Sequence, residues 1–96
     1  MDYQPHPIDL TGITSDETLR QDIERIAQNI HEAWAEQRIR EGWVYGETND
    51  SVKKTHNCLV AYGELPESEK NVDRITVTQT IKMLLWLGYE IRFGGE

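Results

Sequence analysis

Trp34 and Arg38 stand four residues apart, the spacing that brings two side chains onto one face of a helix. An indole stacks a flat heterocycle, and a guanidinium one turn further on grips a phosphate bidentately. The pair is therefore the chain's first candidate for holding a small nucleotide-like anion. His31, three residues before Trp34, shares that face, and Trp43 is placed to close the mouth of the same pocket. Lys54, in the basic cluster Lys53, Lys54 and His56, is a source of second charge. Each residue also has a plainer reading. Trp34 can be core and Arg38 a surface charge, while Trp43 and Tyr45 anchor a turn. Lys53 and Lys54 can be a solvated loop, and His31 a hydrogen-bonded structural histidine rather than a pH switch or ligand. Trp86, in an apolar run, reads as core or interface.

Other chemistries find no pattern. The single cysteine, Cys58, cannot form an internal disulfide, and His56 lies one residue too close to it for zinc-ligand spacing. Gly42-Trp43-Val44-Tyr45-Gly46 lacks the Lys-Ser/Thr ending of a phosphate-binding loop. No serine sits in a nucleophile elbow, no third group orients Cys58, and the Asp-rich calcium loop pattern is missing. The expectation is a protein without catalytic activity, metal or cofactor.

Net charge narrows the partners. The chain of 96 residues carries −7 at neutral pH, which opposes wrapping a nucleic-acid backbone but leaves room for one small anion. Hydrophobic residues make up 38%, enough for one packed core, and the length fits a single domain over residues 1–96. No signal peptide is visible at the N-terminus. The longest apolar cluster, Met83 to Leu87, is far short of the roughly 20 residues that span a bilayer. A cytoplasmic protein without membrane contact is expected.

These side chains need elements to position them. Pro5 and Pro7 forbid a helix near the N-terminus and favour an extended, edge-like segment. Thr14 and Glu17 have the spacing of a capping box. Apolar residues at 19, 23, 26, 27, 30 and 34 then predict a helix running to about Glu41 and stopping at Gly42. Residues 42–46 read as a turn or brief strand, and residues 47–55 as a polar loop. Pro66 opens a short helix through Lys70, and Thr76 with Gln79 opens another ending at Gly88. Strict alternation in Tyr89-Glu90-Ile91-Arg92-Phe93 predicts a half-buried strand that pairs or packs with the extended N-terminal segment. The fold class is mainly α with short β segments, its long N-terminal and C-terminal helices packed together.

Taken in order, several stretches resemble the ryanodine-receptor repeat, or RyR domain. They are Tyr3-Gln4-Pro5-His6-Pro7-Ile8-Asp9, Ile30-His31-Glu32-Ala33-Trp34-Ala35 and Arg38-Ile39-Arg40-Glu41-Gly42-Trp43-Val44-Tyr45-Gly46. Cys58-Leu59-Val60, Leu65-Pro66-Glu67, Thr80-Ile81-Lys82 and Leu87-Gly88-Tyr89 extend the likeness from Tyr3 to about Ile91. The resemblance implies a mainly helical, non-catalytic repeat that forms half of a pseudo-twofold pair. It further implies an adenine-nucleotide site at the cleft between paired repeats, faced by the Trp34–Arg38 helix. Single-repeat relatives occur in bacteria and phages. This chain carries one repeat, so a site between repeats requires a homodimer or a second RyR-repeat protein. The alternative is a structural protein–protein module with no small ligand, its Trp34 and Trp86 serving as core or dimer contacts.

Overall fold

The computed structural model describes residues 3–95. In chain order its elements are α1 (Glu17–Gln21), α2 (Ile23–Arg40), β1 (Val44–Tyr45), β2 (Thr55–His56), a 3-10 turn (Tyr62–Glu64) and α3 (Glu67–Trp86). The fold is mainly helical with a few short strands, and the two long helices α2 and α3 pack on one another, as the sequence predicts.

Local chemistry explains where the first helix begins and breaks. The cap is Asp16, not Thr14: its carboxylate accepts the N–H groups of Thr18 (2.8 Å) and Leu19 (3.4 Å). An aspartate this close to the first turn satisfies two orphan donors at once and complements the positive helix start. The expected unbroken helix is interrupted at Asp22, whose N–H bonds three residues back to the Leu19 carbonyl at 3.0 Å. Aspartate is a poor helix former in an interior position, and α2 starts afresh at Ile23.

Both long helices end as their glycines predict. Gly42 has φ 92°, a conformation that a side chain disfavours. Trp43 N–H returns to the Arg38 carbonyl and Gly42 N–H to Ile39, both at 3.0 Å. That bond pair is a Schellman motif. It repeats after α3, where Tyr89 N–H reaches Leu84 (3.0 Å) and Gly88 N–H reaches Leu85 (3.1 Å).

Helix α3 corrects the expectation of two shorter helices. Thr76 does not cap anything, because its hydroxyl donates back to the Val72 carbonyl at 3.0 Å, and Thr80 does the same to Thr76 at 2.7 Å. A threonine satisfied within the preceding turn continues a helix instead of starting one. The pairing of the two chain ends is also corrected. Tyr89–Phe93 carries no strand, and no backbone hydrogen bond joins it to the extended N-terminal segment among the described residues. Each end is fixed by apolar side chains in a different place. Leu10 is buried and shares a groove with Met83 and Leu84 of α3, whereas Ile91 packs on the core beside Leu19 of α1.

Ala27, Tyr62, Leu65, Val77 and Ile81 form the buried core between α2 and α3. Ala27, fully buried, leaves room for α3 to approach closely. The strands pair in parallel, Val44 with Thr55 and Tyr45 with His56, and hold the segment after α2 against the segment leading into the core. Among the described residues, no helix is long and apolar enough to cross a membrane.

Candidate functional site

Helix α2, the segment just past its C-terminal end and strand β2 bring the predicted residues His31, Trp34, Arg38 and Trp43 into one row with His56. His31, three per cent exposed, holds the Val60 carbonyl at 2.7 Å through Nε2. Its ring stacks on Trp34 at 5.7 Å between centroids, and Trp34 meets His56 edge-on at 5.0 Å. Beyond His56 comes Trp43 at 6.3 Å, and the Arg38 guanidinium lies 5.1 Å over the Trp43 ring. That last contact is a cation–π geometry. The helix cap creates it: a Schellman motif folds the second residue past the cap back over the third residue from the helix end. Here those two residues are Trp43 and Arg38.

The basic end of the row is already engaged. Arg38 pairs with the Glu41 carboxylate at 3.1 Å, and Lys54 donates to the Glu41 backbone carbonyl at 2.8 Å. The Lys54 backbone itself takes the left-handed conformation, φ 57°. Both cations thus sit at the electronegative end of α2, where positive charge is favoured. The Glu41 carboxyl lies below its usual range through the Gln37 hydrogen bond, with Arg38 contributing. Lys53 lies on the exposed loop, and its side chain makes no hydrogen bond or ion pair among the described residues. Trp86, half-exposed at the far end of α3, belongs to a different surface.

The other flank of the row is a cleft of about 240 Å³ whose walls include His31, Trp34, His56 and Cys58 of one side and Glu69 and Asp73 of α3. Its chemistry differs from the anion pocket expected at Trp34. Burial pushes the Asp73 carboxyl up, opposed by His31 and reinforced by Glu69. The Cys58 thiol is pushed up by burial and then by Glu69, which its Sγ approaches at 3.6 Å. The Cys58 N–H donates to Nδ1 of His56 at 3.0 Å, fixing that ring against Trp34. Asp73 escaped the sequence reading, and Glu69 reads there as an ordinary acid on an exposed helix start. A usable signal was present: positions 69, 73 and 77 follow one another at helical spacing, and Val77 reads as core. No cluster of three metal-ligating side chains occurs among the described residues.

A family model described as RyR domain matches residues 3–93 of the chain. The chain belongs to that family, whose repeats are non-catalytic.

Proposed function

From membership of the RyR family, we propose that the chain is a non-catalytic interaction module that joins a second repeat through the face carrying Trp34 and Trp43. A homodimer is the simplest pair. At that junction a nucleotide-like anion lies with its flat ring on Trp43 and its charged end toward Arg38 and Lys54. The supporting observation is the continuous row His31–Trp34–His56–Trp43, closed by Arg38 over Trp43 and flanked by exposed Val44 and Tyr45. Such a surface offers stacking area and local positive charge on an otherwise acidic chain. A ligand that binds only the pair drives pairing by mass action.

One observation favours the module without a small ligand: Arg38 and Lys54 are already bonded to Glu41, so a phosphate must compete with that carboxylate and carbonyl. Thermal unfolding with AMP, with cyclic nucleotides and without ligand separates the two. At about 100 times Kd a ligand adds about 2.7 kcal/mol, several degrees for a domain of this size. Arg38→Ala and Trp43→Ala are expected to remove that increment, judged against each variant's own ligand-free Tm. Rising salt should shrink it in the wild type. Absence of any increment in the wild type overturns the nucleotide, and a monomer at every concentration in light scattering overturns the homodimer.

A further inference from the structure

The cleft on the acidic flank of Trp34 has a donor–acceptor balance that specifies its own ligand. His31 Nε2 faces a carbonyl oxygen, which can only accept, so in the neutral ring Nε2 carries the proton and Nδ1 presents a lone pair. Although the residue is three per cent exposed, Nδ1 has no hydrogen-bond partner among the described residues. No side-chain N or O atom described there is both fully enclosed and unpartnered. The small accessible part of His31 therefore includes Nδ1, and the cleft is the opening that His31 lines.

Two carboxylates face the same space. Asp73 has no hydrogen bond or ion pair among the described residues, and Glu69 has only the long contact from the Cys58 thiol. The neighbouring cations of α3 turn elsewhere. Lys70 goes to Glu67 at 3.4 Å and over the Tyr62 ring, and Arg74 goes to Glu24 and Glu67. Against these acceptors the walls offer the weak Cys58 thiol, the remaining ring N–H of His56 and the Trp34 indole N–H, none of them a cation while His56 is neutral. Trp34 adds an aromatic surface that attracts positive charge.

We propose that this cleft binds the end of an organic cation, a guanidinium or alkylammonium group, presented by an arginine or lysine side chain of a partner protein. The N–H groups of the cation meet Asp73, Glu69 and Nδ1 of His31, and its alkyl stem lies along Trp34 and Val72 at the mouth. At about 240 Å³ the cleft has room for one such side chain. This site stands apart from the anion proposed at Arg38 and Lys54: one flank of the row takes positive charge, the other negative.

Titration of the full chain with acetyl-Gly-Arg-Gly-amide, followed through the Trp34 indole and Cys58 amide resonances, tests the proposal. A saturable shift is expected, weaker by about tenfold or more when citrulline replaces arginine, since a charged hydrogen-bonded contact is lost. Asp73→Asn and Glu69→Gln should weaken binding likewise, whereas Arg38→Ala should leave it intact. The asparagine variant is expected to fold, because burial already disfavours the Asp73 charge. In a parallel arm with n-butylguanidinium, weaker binding than the peptide supports a protein source. Equal binding of the two overturns that source in favour of a free small amine. Equal binding of the citrulline peptide, or binding unchanged in Asp73→Asn and Glu69→Gln together, overturns the cation site, as does the lack of a saturable shift with either probe.

Discussion

Two polar clusters join α2 to α3, and they are built on opposite plans. Near the start of α2, Arg74 donates to both oxygens of Glu24 at 2.7 and 2.8 Å, to Glu67 at 3.0 Å and to Asn71 at 2.7 Å. Tyr62 completes that group with its hydroxyl on Glu24 at 2.9 Å. Further along, His31, Glu69 and Asp73 meet with acceptors in excess and no cation among them. The first cluster has satisfied its charges, and the second has left them open. Saturated networks hold folds together; buried acceptors without donors lower stability unless a ligand completes them. The same pair of helices thus carries a clamp and a cleft.

Breaking the clamp should have the largest effect. Arg74→Ala strips donors from Glu24, Glu67 and Asn71, and should lower Tm by several degrees, more than any other substitution considered. Carboxyl NMR titration of that variant should find Glu24 back near the usual range, since the Arg74 hydrogen bond, followed by that of Tyr62, holds it down at about 2. Tyr62→Phe removes one hydroxyl while keeping the buried ring, and should cost about 1 kcal/mol in urea unfolding.

The two clusters should also differ in the sign of their pH dependence. Glu24 titrates lower in the folded chain than its ordinary 4.5, so its stabilisation is full above 4.5 and is lost as pH falls toward about 2. Glu24→Gln should flatten that limb of a Tm–pH curve. Asp73 is shifted upward, so ionising it opposes folding, and the penalty disappears as pH falls below its ordinary 3.8. Asp73→Asn should therefore leave neutral-pH stability unchanged or slightly raised, within about 0.5 kcal/mol. A loss as large as that of Arg74→Ala would make the cleft a second clamp and end the contrast.

How far these features could be read beforehand follows their distance along the chain. The stops at Gly42 and Gly88 were legible because a helix end is a local matter of one backbone conformation and two carbonyls. Trp43 beside Arg38 follows from the same cap. The apolar spacing through Ile23, Ala27, Ile30 and Trp34 likewise announced α2. Thr76 misled because the same hydroxyl can cap a new helix or bond back within an existing one, and only its neighbours decide. The terminal alternation at 89–93 misled for a related reason: a strand needs a partner strand, and the N-terminal segment went to Met83 and Leu84 instead.

By itself the sequence determined the helical class, the C-terminal stops of the two long helices, the surplus of negative charge and the family, because each rests on composition, local spacing or ordered motifs along the chain. Only the tertiary structure decided what Trp34 and His31 face. Residue 31 reaches the Val60 carbonyl across 29 positions, and meets Glu69 and Asp73 from still further away. Such neighbours are set by α3 packing over Ala27, not by any rule acting within a few residues. That packing turned a site expected to attract an anion into a row with two faces, basic at Arg38 and acidic at Asp73.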